Sequence, residues 1–130
     1  MPQVTDQLFD DFVHFVTVHG YGDAYTRDPR ESVPPDCGFV RFRSPGEDLF
    51  TSAGLMKFRT REEGVTACKA FVERRDTPME LQMNFPREAP LHFPSPTFAE
   101  AHAVAKSRWC RLKRAFGAWR HVREAKGHGH

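Results

Sequence analysis

Residues that could do chemistry are few in this chain and badly spaced for it. Asp10/Asp11 and Glu62/Glu63 are neighbours in sequence. On a helix adjacent side chains point about 100° apart, so neither pair shares a substrate. Both pairs fall near expected helix N-termini, where the helix dipole favours carboxylates. His14 and His19 stand at i, i+5, poor spacing for one metal ion, and His121, His128 and His130 gather at the C-terminus, where a solvated tail holds at most a stray transition metal. Cys37, Cys68 and Cys110 are odd in number and form no C-x-x-C, which reads as free thiols in a reducing compartment. Cys110 beside Trp109 reads as a packed thiol. No nucleophile elbow, zincin helix, Walker loop or dinucleotide fingerprint occurs. The residues therefore predict no enzyme, no catalytic or metal site, no cofactor and no small-molecule substrate.

Charge and aromatic content carry more information. Residues 1–100 hold 11 Lys and Arg against 16 Asp and Glu, a net of −5, whereas residues 101–130 hold 8 against Glu124 alone, a net of +7. In the last stretch Phe98, Ala101, Ala105, Trp109, Leu112, Phe116 and Trp119 recur at helical spacing, with Lys106, Arg108, Arg111, Lys113, Arg114, Arg120 and Arg123 around them. A helix over 97–126 would be roughly 40 Å long, more than so small a body can cover. Its far half would leave an aromatic stripe for a partner. The partner-docking residues read from this pattern are Trp109, Leu112, Phe116 and Trp119 for burial, and Arg111, Arg114, Arg120 and Arg123 for charge. The partners expected are other protein subunits, with RNA or anionic lipid as further candidates for the basic face.

The elements before that helix read as one small domain, residues 1–85. Thr5 is a candidate N-cap and Gly20 a candidate stop for a first helix whose stripe is Leu8, Phe9, Phe12, Val13 and Val16. Residues 21–36 read as an irregular, turn-rich loop. Gly38–Arg43 predicts a strand with Val40 and Phe42 inward; Ser44–Asp48 is turn chemistry; Leu55–Arg59 predicts a second, antiparallel strand. Thr60 with Glu63 is a capping box opening a helix that packs Val65, Cys68, Phe71 and Val72, with Arg74 and Arg75 at its end. Met79–Phe85 alternates and predicts a third strand, one face buried and one wet. Residues 86–96, with Pro86, Pro90, Pro94 and Pro96, read as an extended linker, Ser95 or Thr97 as the cap of the last helix, and 127–130 as a tail. The fold class expected is α+β: about three antiparallel strands, two packed helices and the long C-terminal amphipathic helix. Twelve Phe supply the core. No stretch reaches the roughly 20 apolar residues of a membrane span, and Met1–Asp11, with three Asp and no Lys or Arg, has the wrong charge for a secretory or cleaved mitochondrial leader.

Three resemblances add to this. Gly38-Phe39-Val40-Arg41-Phe42 resembles the G-F-V-x-F end of the RNP1 strand of an RNA-recognition motif, which implies RNA stacking on Phe39, Phe42 or Phe58. The chain departs from that pattern in lacking an RNP2 strand before the first helix and in having Pro35 where the motif is basic. Residues about 42–98 resemble the AQDQ-type accessory subunit of mitochondrial respiratory complex I. The carriers are Ser44-Pro45-Gly46-Glu47-Asp48-Leu49, then Leu55-Met56-Lys57-Phe58-Arg59-Thr60-Arg61-Glu62-Glu63, then Pro94-Ser95-Pro96-Thr97-Phe98. The family's Trp before the turn is replaced here, and its N-terminal strands give way to a helix. Members carry no catalytic residue or cofactor and brace the electron-input arm. Last, Ala103, Leu112, Phe116, Trp119 and Arg120 are similar in spacing to the helical repeat that binds centrin-type calcium proteins on scaffolds.

The expectation is a non-catalytic accessory subunit of a large assembly, with a mitochondrial respiratory complex as the favoured setting and the cytoplasm as the other compartment. An RNA-binding or organellar ribosomal protein is the alternative, and a calcium-sensor target helix a further one.

Overall fold

Helix α1 (Val4–Val18) forms because its apolar residues recur every three or four positions. Leu8, Phe9, Phe12 and Val16 are all buried, Phe12 and Val16 completely. The computed structural model describes residues 4–24 and 36–108 of the 130. Thr5 lies inside α1 and is not its cap. The helix ends as its sequence predicts: Gly20 sits at φ 72°, its N–H donates to Thr17 O (3.2 Å) and the Tyr21 N–H to Val16 O (3.0 Å). This is a Schellman stop, and the Phe15 and Tyr21 rings stack across it at 6.1 Å.

Five strands follow: β1 (Gly22–Ala24), β2 (Cys37–Arg43), β3 (Thr51–Phe58), β4 (Glu80–Asn84) and β5 (Leu91–Pro94), in the order β1-β3-β2-β4-β5. Every neighbouring pair is antiparallel. The sheet therefore exceeds the three strands expected. β1 has three residues, too few to show alternation. β5 is bounded by Pro90 and Pro94, which sequence reading assigns to a linker; as the outermost strand it tolerates them, because its outer edge needs no donor. Helix α2 (Arg61–Glu73) links β3 to β4, which lie on either side of β2 in the sheet. Its cap is Thr60, whose Oγ1 accepts from the Glu63 N–H at 3.1 Å. The Glu63 carboxylate turns to Arg59 Nε (2.7 Å), so the box is closed on one side. Helix α3 starts at residue 98 and continues to 108, the last described residue.

One face of the sheet carries Val40, Phe42, Met56, Phe58, Leu81 and Met83 under α1 and α2. Phe12 meets Phe71 at 5.1 Å and Phe58 at 6.3 Å, both edge-on. Burying each such ring contributes roughly 2–3 kcal/mol. The other face carries Phe39, Arg41 and Arg43 of β2 against Asn84, Gln82 and Glu80 of β4. It was expected to be wet, yet Glu80 and Gln82 are 7% and 9% exposed. β4 lies inside the sheet, so its polar side chains are flanked on both sides and find partners there: Arg43 Nε donates to Glu80 Oε1 (2.7 Å) and Asn84 Nδ2 to Gln82 Oε1 (3.0 Å). Among the described residues no helix is long and apolar enough to cross a membrane.

Candidate docking surface at the root of α3

The eight expected docking residues, Trp109, Leu112, Phe116, Trp119, Arg111, Arg114, Arg120 and Arg123, lie outside the described residues, as does Cys110. What the structure describes is the root from which they continue. Phe98, first of the expected stripe, is 3% exposed, and its ring takes the Arg43 guanidinium at 5.3 Å. The Phe50 ring takes the same group at 4.8 Å. Arg43 Nη1 also donates to Glu47 O (3.2 Å), which ties the strand to the turn that follows it.

That turn is the seat of the helix. Gly46 stands at φ 88°, a conformation that favours glycine, and a Cβ there would lie 3.0 Å from Ala105 Cβ on α3. The Gly46 N–H donates to His102 Nδ1 at 3.0 Å, which fixes that nitrogen as an acceptor. One turn on, Lys106 Nζ pairs with Asp48. Phe98, His102, Ala105 and Lys106 thus seat α3 on residues 43–48. Of the two caps offered, Thr97 stands directly before the helix, its carbonyl accepting from the Ala101 N–H (3.1 Å), and Ser95 is used elsewhere: its Oγ accepts from the Met79 N–H (3.0 Å) and its own N–H donates to Met79 O (2.8 Å), so it ties the start of β4 to the approach to α3.

Two exposed apolar side chains stand on the segments that form this joint. Leu49, one residue beyond Asp48, is 82% exposed, and Val104 on α3 is 46% exposed. The α3 face running through Thr97, Ala101, Val104 and Ala105 lines a hollow of about 410 Å³, with Glu100 and Arg108 also on its wall. Sequence reading missed both exposed residues. Val104 lies beside the chosen stripe and not on it, and Leu49 is a lone apolar residue in a polar turn.

Other expected positions resolve differently. Phe42 and Phe58 are each 1% exposed, inside the core, so neither can stack on a base. Of the three alternatives only Phe39 lies on the opposite sheet face, part-buried, with Arg41 5.0 Å from its ring centre. His14 and His19 both line a groove between α1 and α2. Among the described residues no three His, Cys, Asp or Glu are grouped to hold a metal ion. Cys37 and Cys68 are free and buried. Burial pushes the Cys68 thiol well above its usual value; burial first, then the Asp36 charge, raises Cys37. Both are the reverse of an activated nucleophile.

Comparison of the chain with protein-family models, characterised proteins and solved structures finds no match in any of the three.

Proposed function

We propose that this protein is a non-catalytic accessory subunit that binds other protein subunits through the root and continuation of α3. The observation that carries this is the placement of Leu49 and Val104, two of the three large apolar side chains left exposed among the described residues, at the joint that holds α3. Burying them on a partner contributes roughly 1.5–3 kcal/mol each, and the sequence beyond residue 108 extends the same helix pattern with Trp109, Leu112, Phe116 and Trp119. The body then acts as a mount that sets the direction of the helix. A respiratory assembly as the setting rests on the resemblance of residues 42–98 to the AQDQ-type subunit.

A photo-cross-linking residue placed at Leu49 or at Val104 in native cells tests the reading, with exposed Thr66 on α2 as the control position. Discrete protein adducts from the first two sites, together with migration in a large complex, support it. A free monomer without adducts overturns it. Association that ribonuclease abolishes, and that weakens steeply with salt, shifts the reading to an RNA-binding protein.

A further inference from the structure

The third exposed apolar residue, Val18, is 64% exposed and lies far along the sequence from the α3 joint, at the end of α1. It lines a groove of about 390 Å³ between α1 and the end of α2. Phe15 and Phe71, with ring centres 5.7 Å apart, form the apolar floor. Two guanidinium groups stand over these rings: Arg74 is 5.4 Å from the centre of Phe15 and Arg75 is 5.2 Å from the centre of Phe71. Arg75 Nη1 already pairs with Asp11 Oδ2 at 3.2 Å. Arg74 reaches only His19 Nε2, at 3.4 Å, and no carboxylate among the described residues. His14 also lines the groove.

The charges here reverse the sign of the surrounding body. Residues 1–100 carry a net of −5, whereas the lining of the groove sets Arg74 and Arg75 against Asp11 alone. Basic residues at the end of α2 are explained in part by its dipole. The dipole does not explain two ring faces and an uncovered valine beside them. We propose that this groove docks an acidic segment of a partner protein that also presents apolar side chains. Carboxylates of the segment pair with Arg74 and share Arg75 with Asp11, and its apolar side chains cover Val18, Phe15 and Phe71. A guanidinium held over a ring is pre-organised for a carboxylate, so little side-chain freedom is lost on binding. The chain's own C-terminal stretch is the wrong occupant, because residues 101–130 carry a net of +7.

The test uses the full chain and a fluorescent peptide of about 15 residues with Leu and Trp at i and i+4 flanked by Glu. Saturable binding is expected, with amide shifts at residues 11–19 and 71–75. Arg74→Glu should weaken it about tenfold and Val18→Ser several-fold, and a peptide with every Glu changed to Gln should bind much more weakly. Arg74 is exposed, so its melting temperature should hold; Arg74→Gln serves if it does not. Affinity unchanged by Arg74→Glu, no binding at roughly 1 mM peptide, or shifts confined to residues 98–130 overturns the proposal. A dimer abolished by Val18→Ser overturns it too, by making a second copy the occupant. None of these failures touches cross-links from Leu49 or Val104, so this groove and the α3 joint stand or fall separately.

Discussion

Arg43→Ala removes the group on which the sheet, the turn and α3 converge. The guanidinium donates to Glu80 at 2.7 Å and to Glu47 O at 3.2 Å and faces two rings at 4.8 and 5.3 Å. Side-chain exposures are 20% for Arg43 and 9% for Glu80. A hydrogen bond to a charged group contributes about 1.5–3 kcal/mol, and each cation–π contact about 0.5–1 kcal/mol at a partly exposed site. Loss of the cation also leaves Glu80 buried without its counter-charge. Discounting for the exposed fraction of Arg43, the net loss is about 2–3 kcal/mol. In a chain of this size each kcal/mol moves Tm by about 3–5 °C, so Arg43→Ala should lower it by about 6–15 °C in circular-dichroism melts. Amide exchange should accelerate first in residues 98–108, which lose the seat of Phe98. Arg43→Lys keeps the charge without the planar face and should recover about half of the loss. The pair Arg43→Met with Glu80→Leu should recover most of it, because no ion is then buried alone. A shift below about 3 °C for Arg43→Ala, or a double variant no better than the single one, would refute this coupling.

Thr60→Ala removes the acceptor of the Glu63 N–H and should cost about 1 kcal/mol in urea unfolding, with Thr60→Asn close to wild type. Gly64→Ala raises helix propensity, but the new Cβ would stand 2.7 Å from the Phe58 ring; overpacking of about 1–3 kcal/mol outweighs the gain of about 1 kcal/mol, so the urea midpoint should fall. Cys68 should resist iodoacetamide in the folded protein and react in urea, as read by mass spectrometry. Its thiol keeps its proton when folded but ionises from about 9.0 when unfolded. The unfolded state then binds fewer protons, so stability should fall as pH rises past that value, by up to about 1.4 kcal/mol per pH unit. Cys68→Ala should flatten that slope relative to wild type.

Local pattern decided much of this protein from sequence alone. The stripe of α1, its stop at Gly20, the inward Val40 and Phe42, the Thr60 cap and the Cys68 face of α2 all follow from residues within one or two turns of each other, and short-range sterics and hydrogen bonding are enough to specify them. Features that depend on distant residues were not legible. β1 exists because β3 accepts it, and β5 because β4 offers an edge that Pro90 and Pro94 do not obstruct. Glu80 reads as a wet position until Arg43, 37 residues away, closes over it. Ser95 reads as good a cap as Thr97 until Met79 claims its hydroxyl.

The same division holds for the sites. Sequence by itself showed a chain acidic before residue 100 and basic after it, with an amphipathic pattern at its end. Tertiary structure decided where that pattern is mounted, by bringing Gly46 against His102 and Asp48 against Lys106. It also decided which apolar residues stay uncovered. Exposure belongs to the packed surface and not to a residue type, so Leu49, Val104 and Val18 acquire meaning only once their neighbours have been buried.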